Sequence, residues 1–243
     1  MKKIIILIFA LGFTLTACEK EDDNPEQQTG EFIKSIAING EPVITFTYNG
    51  LNQLITKKTT VDGAVMEETY TYEDGLMATE TMKVNGDVIA QYSFEYDNDK
   101  RLQKCNVEGT VDVNWTFTYD GDKITEAYYN INGGVAKKQL YTYNGDNIIK
   151  VEEYYSYGET WTLITVFEFE YDNKNNPMKP LKIPFSEDIS EFVGLFSSHN
   201  ITYMREYDPG IEEEVYYTYT YNDKQYPITC NDGTDNYTFT YLP

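Results

Sequence analysis

The stretch Phe117-Thr118-Tyr119-Asp120-Gly121 shows the pattern that decides the fold: an aromatic residue, Thr or Glu, a tyrosine, and at once a turn of Asp, Asn or Gly. The triplet recurs about every two dozen residues, and such a period is the signature of stacked supersecondary units. The other triplets are Phe46-Thr47-Tyr48, Tyr70-Thr71-Tyr72, Phe94-Glu95-Tyr96, Tyr141-Thr142-Tyr143, Phe169-Glu170-Tyr171, Tyr219-Thr220-Tyr221 and Phe239-Thr240-Tyr241.

Turn signals fall about twelve residues apart, so each repeat predicts two strands joined by Asn-Gly or Asp-Gly turns, which suit tight antiparallel hairpins. The predicted strands are 43–48, 54–60, 65–72, 76–84, 88–96, 102–108, 111–119, 123–131, 135–143, 148–157 and 160–171. We predict an all-β fold, a long antiparallel up-and-down meander. It should curl into a barrel or a strongly curved sheet, because about 15 flat strands would expose edges and an aromatic face.

Strict alternation along each strand predicts one aromatic face. In strand 160–171 it places Trp161 and Leu163 on the same face as Phe167 and Phe169. The apolar faces of several strands also carry charges, at Glu68, Lys137, Lys150 and Glu152. A charge that faces lipid at mid-depth costs about 2–4 kcal/mol, so we expect a sheet in water and not a transmembrane barrel.

The N-terminus predicts an exported lipoprotein. Residues 1–17 have a basic start and a short apolar run, as in a signal peptide, and they end in Leu15-Thr16-Ala17-Cys18, which resembles the bacterial lipobox. Cys18 is the predicted lipidation site, at the start of an acidic tether over residues 18–30, and residues 31–243 form a single β-repeat domain. The tether also resembles a surface-export signal, so we expect the outer membrane and its cell-surface side, with a periplasm-facing arrangement as the alternative.

The composition excludes nucleic acid as a partner. Removing residues 1–17 takes away two lysines and no acid, which leaves 17 basic against 40 acidic residues and a formal net charge of −23. Such a surface repels phosphate backbones and anionic headgroups, so the membrane is contacted through the Cys18 lipid only. Cys105 and Cys230 remain for an oxidising compartment, and their spacing leaves open whether they pair.

The repeat breaks after Tyr171. In this insert Ser186 can cap a short helix, near 186–198, with Ile189, Phe192, Val193 and Phe196 at i, i+3, i+4 and i+7. An amphipathic helix inside a β meander is expected to plug an open end of the barrel or to cover its edge. A ligand-binding role is the alternative, because loops that interrupt a regular scaffold often carry function.

The repeated Tyr-Thr-Tyr-Asn and Phe-Glu-Tyr-Asp units, the turn 172–177 and the run 221–227 resemble the Tyr-Asp-repeat bacterial lipoproteins, which are related to RHS repeats. The likeness covers roughly residues 40 to 243. It implies a porin-like fold and a family of unknown function. That family supplies no catalytic residues that could be carried over.

The chain offers little for catalysis or metal binding. His199 is the only histidine, which rules out a multi-histidine metal site and leaves no second candidate for a Ser/His/Asp or Cys/His set. A lone histidine beside a helix end is expected to be a cap or surface residue rather than a catalyst. Asp-rich turns lack the EF-hand and RTX spacings, and we predict no catalytic residue, metal or cofactor. Forty acidic residues make carboxylate pairs of the glycosidase type unavoidable but impossible to locate.

We therefore expect a non-enzymatic outer-membrane or surface lipoprotein with a binding or scaffolding role, and a glycan or protein (peptide) partner. The aromatic side chains proposed to contact the ligand are Trp115, Trp161, Tyr154 and Tyr203. The first alternative is a structural component of an envelope complex, docked through a sheet edge or the 177–205 insert. The second is a carboxylate-dependent glycoside hydrolase.

Overall fold

A computed structural model describes residues 30–243 except residues 110, 159 and 209, so the predicted signal peptide, Cys18 and nearly all of the tether lie outside the described residues. The described chain is all-β with one short helix, α1 (Ile189–Phe196), and one 3-10 turn (Lys179–Leu181). The strands are β1 (Ile33–Ile38), β2 (Glu41–Tyr48), β3 (Leu54–Val61), β4 (Ala64–Glu73), β5 (Leu76–Val84), β6 (Asp87–Tyr96), β7 (Leu102–Val107), β8 (Val113–Asp120), β9 (Lys123–Ile131), β10 (Gly134–Asn144), β11 (Asn147–Tyr157), β12 (Thr160–Tyr171), β13 (Ile201–Asp208), β14 (Ile211–Tyr216), β15 (Thr218–Tyr221), β16 (Pro227–Asn231) and β17 (Asn236–Tyr241).

The meander closes into a barrel, as predicted. Consecutive strands pair antiparallel, and β17 pairs back with β1, where Phe239 lies opposite Ile36. Strands β14 and β15 are separated only by Tyr217 and continue along one line, so the seventeen strands occupy sixteen positions around the barrel. Among the described residues β14 pairs with β13 alone, which leaves one of its edges without a strand. The barrel is therefore nearly, rather than fully, closed.

The eleven strands predicted between residues 43 and 171 are confirmed to within two residues at each end. The structure adds β1, which the repeat pattern missed because no triplet precedes it. All eight triplets end at the same rim, here called the lower end, where residues 30–32, 242–243 and the 172–200 insert also lie. The opposite rim, the upper end, carries short turns such as Asn85-Gly86, both at positive φ (52° and 94°).

Each position of the triplet has its own role. The first aromatic residue is buried inside the barrel, as are Phe46 and Tyr141, which are 5% and 7% exposed. The middle residue faces outward, and Thr71 shares a hydrogen bond with Thr79 across the strands (2.6 Å). The third residue is a tyrosine whose ring packs on the core.

The hydroxyl of that tyrosine donates to the carbonyl oxygen of a residue at the start of the preceding upward strand. The donor and acceptor pairs are Tyr48 and Ile33, Tyr72 and Leu54, Tyr96 and Met77, Tyr119 and Leu102, Tyr171 and Ile148, and Tyr241 and Pro227. In the Tyr219-Thr220-Tyr221 triplet, Tyr219 takes this role toward Ile201, while Tyr221 donates to Asp172. These tyrosine–carbonyl hydrogen bonds fasten each hairpin to itself at the lower end.

A β-bulge accompanies nearly every triplet. Between Thr71 and Tyr72 the register skips one residue of β5, and the same skip occurs at Thr47/Tyr48, Glu95/Tyr96 and Thr118/Tyr119. The bulge breaks the alternation, so each upward strand buries residues three apart instead of two, such as Leu54 and Lys57. Bulges bend and twist a strand, which helps a long meander to close.

The insert plugs the lower end, as predicted, but its helix begins later than expected. Asp188, and not Ser186, is the N-cap, and its carboxylate accepts from the Glu191 backbone N–H (2.8 Å). Buried Ile189, Phe192, Val193 and Leu195 lie against the inner wall, and the Phe192 ring stacks on that of Tyr141 (5.1 Å). The insert's apolar face is thus already covered by the barrel.

The outer wall carries threonine pairs and ion pairs, including Thr220 with Thr229 (2.6 Å) and Arg205 with Glu168 (3.2 Å). Large apolar side chains such as Ile89 are also exposed on it, toward the upper end. Of the four charges that argued against a membrane span, Glu68 and Lys137 lie inside the barrel, so treating these two as evidence about the outer wall was wrong. Lys150 and Glu152 do face outward, 2.9 Å apart. A wall of this kind is suited to water rather than to lipid.

Candidate functional site

Three adjacent strands bury charged residues at positions that the other repeats give to uncharged ones. The inward position three residues after the inward residue at the base of each upward strand, such as Leu54 in β3 or Met77 in β5, is occupied by Ile36, Lys57, Glu80, Cys105, Ala127, Val151, Met204 and Cys230. The position two residues before each inward aromatic is occupied by Ile44, Glu68, Tyr92, Trp115, Gln139, Phe167, Tyr217 and Tyr237. Lys57, Glu68 and Glu80 are the three charged members, on β3, β4 and β5, and each is at most 8% exposed.

An ion-pair network joins two of these residues to the plug. Lys57 Nζ lies 2.6 Å from Glu191 Oε1 on α1 and 3.2 Å from Glu68 Oε2. The hydroxyl of Tyr70 donates to Glu68 Oε2 (2.6 Å), and that of Ser186 donates to Glu191 Oε2 (2.9 Å). Burial alone would lower the pKa of Lys57, but Glu191 and Glu68 together hold that pKa above its ordinary value. Lys57 therefore stays charged and ties the helix to the wall.

Glu80 behaves differently from its neighbours. It makes no hydrogen bond to any described residue, although it is only 8% exposed. Burial, followed by the nearby charge of Glu68, raises the pKa of its carboxyl from 4.5 to about 8, against the opposing effect of Lys57. At neutral pH the Glu80 carboxyl group is thus protonated, beside a second buried carboxyl group, that of Glu68, which is paired with Lys57.

These groups line a cavity of about 450 Å³ between the β3–β6 wall and the insert, here called the acidic chamber. Its lining has one base, Lys57, and five acidic residues, namely Glu68, Glu80, Glu187, Asp188 and Glu191. Its uncharged lining consists of Met66, Tyr70, Met82, Tyr92, Ile183, Phe185 and Ser186. Because the upper-end turns are short, no described segment reaches across a sixteen-stranded barrel above this chamber.

A second cavity of about 340 Å³, the apolar chamber, lies on the other side of α1. Ile44, Phe46, Tyr219 and Phe239 of the wall face Gly194 of the helix across it. Lys57 and Glu191 line both chambers, so their ion pair forms part of the partition. The plug therefore leaves space on both of its sides.

The aromatic residues proposed to bind ligand do not converge. Trp115 is a core residue, 2% exposed, whose ring lies 5.3 Å from Phe185 and 5.0 Å from Lys137 Nζ. Tyr203 lies on the outer wall, where its hydroxyl donates to Glu214 (2.8 Å). Neither residue contacts the other proposed positions.

Trp161 and Tyr154 do lie together, but outside the barrel. Lys138 Nζ lies 4.8 Å from the Trp161 ring and 4.9 Å from the Tyr154 ring. Strict alternation was wrong for Trp161 and Leu163, because the register between β11 and β12 skips Ile164 and turns both side chains outward, away from Phe169. With a lysine over both rings, this pair offers less open surface for stacking than expected.

The two described cysteines, Cys105 and Cys230, are free and buried. Cys105 on β7 and Cys230 on β16 are eight positions apart around a sixteen-position barrel, so they stand on opposite walls. Within the described residues, no group of three or more His, Cys, Asp or Glu side chains is arranged to hold a metal ion. No helix in the described part of the chain is both long and apolar enough to cross a membrane.

Sequence reasoning missed the acidic chamber, although a signal for it exists. Aligning the repeats on their triplets would have placed Lys57, Glu68 and Glu80 against uncharged residues of the other repeats. Charges at positions that the fold otherwise fills with uncharged side chains break the local rule, and such breaks mark functional sites. Period-two alternation hid Lys57 and Glu80, because the bulge shifts them to the inner face.

A nearly closed, plugged, up-and-down barrel of this size defines a porin-like class of fold. The chain is similar to a crystal structure of a porin-like protein from Bacteroides uniformis, with 14% identity and a TM-score of 0.52, over 90% of this chain and 98% of that one. A porin-like protein from Bacteroides vulgatus matches at 9% identity with a TM-score of 0.42, over 88% and 100% of the two chains.

The first of these likenesses confirms the porin-like fold implied by the repeat, and it shows the fold alone. No protein-family model and no curated protein matches the chain. Membership of the Tyr-Asp-repeat lipoproteins stays a prediction.

Proposed function

We propose that this chain is a lipid-anchored outer-membrane protein that binds a small ligand, or part of a peptide or glycan, inside its barrel without chemical turnover. The observation that carries the proposal is the burial of Lys57, Glu68 and Glu80 around a cavity of about 450 Å³. Burying charged groups costs free energy, and apolar residues at these three positions would stabilise the fold at least as well. Stability therefore does not explain why the charges are there. The lipobox at Cys18 and the threonine and ion pairs of the outer wall support an anchor of lipid rather than of protein.

A steric block tests the proposal without assuming the ligand's chemistry. Met82 lines the chamber, whereas Val88, on the next strand, is 52% exposed at the upper end. The full chain in detergent is screened by thermal shift against oligosaccharides, peptides and amines. We expect at least one compound to raise the melting temperature of the wild type and of Val88→Trp but not of folded Met82→Trp. A flat response from the wild type to every compound would exclude interior binding and favour a structural role in an envelope complex.

A second candidate function, glycoside hydrolysis, is favoured by one pair of buried carboxyl groups. Glu80 and Glu68 are diagonal neighbours on the paired strands β5 and β4. Burial raises the pKa of Glu80 to about 8, which suits a general acid that protonates a leaving group beside a second carboxyl group. Release of reducing sugar by the wild type, lost in both Glu80→Gln and Glu68→Gln, would establish turnover. No release from a panel of oligosaccharides leaves the binding role.

A further inference from the structure

Glu80 is a buried carboxyl group that has no partner in the described protein. More than nine-tenths of the residue is buried, its side chain lines the acidic chamber, and it makes no hydrogen bond to any described residue. Buried polar groups nearly always have a partner, because an unpaired one costs about 1–3 kcal/mol. A carboxyl group held in this way, at the edge of a cavity, points to a partner that enters the cavity.

The charge around Glu80 indicates the sign of that partner. The chamber's one base, Lys57, is already engaged by Glu68 and Glu191. Glu187 is hydrogen-bonded by Tyr92, and Asp188 caps α1. The lining holds five acidic residues and one base. The contacts of Glu187 and Asp188 bring no positive charge, so they do not neutralise this excess. In a cavity with low-dielectric walls this excess favours a cation.

The uncharged part of the lining indicates the body of the partner. Met66 and Met82 supply flexible thioether side chains, and Tyr92 supplies an aromatic ring. Methionines adapt to alkyl chains, and aromatic faces attract ammonium groups. An alkyl chain that ends in a charged nitrogen would match both parts of the chamber.

We infer that the acidic chamber binds a primary ammonium group on a short alkyl chain, which the Glu80 carboxylate receives. The inference rests on the proposed interior binding and names its ligand class. The same chemistry occurs in a free diamine and in a lysine side chain of a peptide. Either source would enter from the upper end, where no described segment crosses the barrel.

Binding has a proton signature. The titratable groups around Glu80 are Lys57, Glu68, Tyr70, Tyr92, Cys105, Glu187, Asp188 and Glu191. The carboxylates among them help to keep Glu80 protonated at pH 7. An arriving ammonium group supplies N–H donors and positive charge, so the Glu80 proton leaves to the buffer and its carboxylate accepts a hydrogen bond. About one proton is released for each ligand bound.

Isothermal titration calorimetry of the full chain in detergent, at pH 7 in two buffers with different heats of ionisation, tests this inference. The probes are 1,5-diaminopentane and Nα-acetyl-lysinamide, and the neutral control is 1,5-pentanediol. We expect at least one ammonium probe to bind tenfold or more tightly than the diol, with proton release. In Glu80→Gln the affinity should fall at least tenfold and the buffer dependence should vanish, while exposed Glu73→Gln should match the wild type.

The outcomes separate the two levels of the proposal. Preference for the acetylated lysine over the diamine assigns the ligand to peptides, and the reverse assigns it to free amines. Equal binding of the diol, or binding without proton release, overturns the ammonium inference. If only a sugar binds, and Met82→Trp blocks it, the ammonium inference fails while interior binding stands. If nothing binds, both fail.

Discussion

The two ends of the barrel are built by different means. At the lower end, tyrosine–carbonyl hydrogen bonds fasten the strands and the insert fills the space between them. At the upper end the hairpins end in short turns, and large apolar side chains beside those turns are exposed, such as Ile89 (57%) and Tyr157 (64%). Stability is therefore expected to be concentrated at the plugged lower end, and the ligand proposed above would enter at the upper end.

The largest expected effect comes from opening the plug. Phe192 is 1% exposed and stacks on Tyr141 and Phe196, so Phe192→Ala should lower the free energy of unfolding by about 3–5 kcal/mol. Ile89→Ala at the upper end should change it by less than about 0.5 kcal/mol. Urea unfolding followed by circular dichroism measures both. Equal losses would show that the ends do not differ as described.

The second prediction concerns the pH dependence of stability that Glu80, in the acidic chamber between the two ends, should produce. The Glu80 carboxyl ionises near pH 4.5 when unfolded but near pH 8 when folded, so its contribution to stability falls as pH rises between those values. The slope for one such group is at most about 1.4 kcal/mol per pH unit. Glu80→Gln should thus gain stability over the wild type from pH 5 to pH 8 in thermal unfolding. Glu73→Gln is the matched control, and a parallel curve for both variants would contradict the assignment.

The smallest effect concerns a single hydroxyl. Tyr72→Phe removes the donor to the Leu54 carbonyl (2.8 Å) and should cost about 1–2 kcal/mol. Tyr157→Phe, at an exposed upper position, should be neutral within about 0.5 kcal/mol. Chemical denaturation resolves the difference. A neutral Tyr72→Phe would show that the ring alone, and not its hydroxyl, holds the lower end.

The fold was predictable from the sequence because its signals are local. Pairs such as Asn85-Gly86 require positive φ and mark hairpins directly, and the 3.6-residue period of Ile189, Phe192 and Val193 marks the helix. The faces were less predictable, because alternation assumes a register without bulges. The skip of Ile164 turns Trp161 outward, and the skips after the triplets turn Lys57 and Glu80 inward.

Strict alternation along the strands could not predict the acidic chamber for a second reason. Glu191 reaches Lys57 across 134 positions of sequence, and only the plug inside the closed barrel brings them within 2.6 Å. The sequence-based choice of Trp115 followed its aromatic character, but the same character makes it a core residue here. Long-range placement of buried charges has no local signal, except where repeats can be compared with one another.

The fastening of each hairpin to itself has a consequence for how such chains change length. A two-strand unit carries its own turn, its own bulge and its own tyrosine contact, as Tyr72 and Leu54 show within β3 and β4. Duplicating or deleting one unit would therefore alter the circumference by two strands without rewriting the neighbouring ones. Unequal recombination would therefore change the diameter of the barrel in steps of two strands. The plug would fill the interior only at those diameters that match its size.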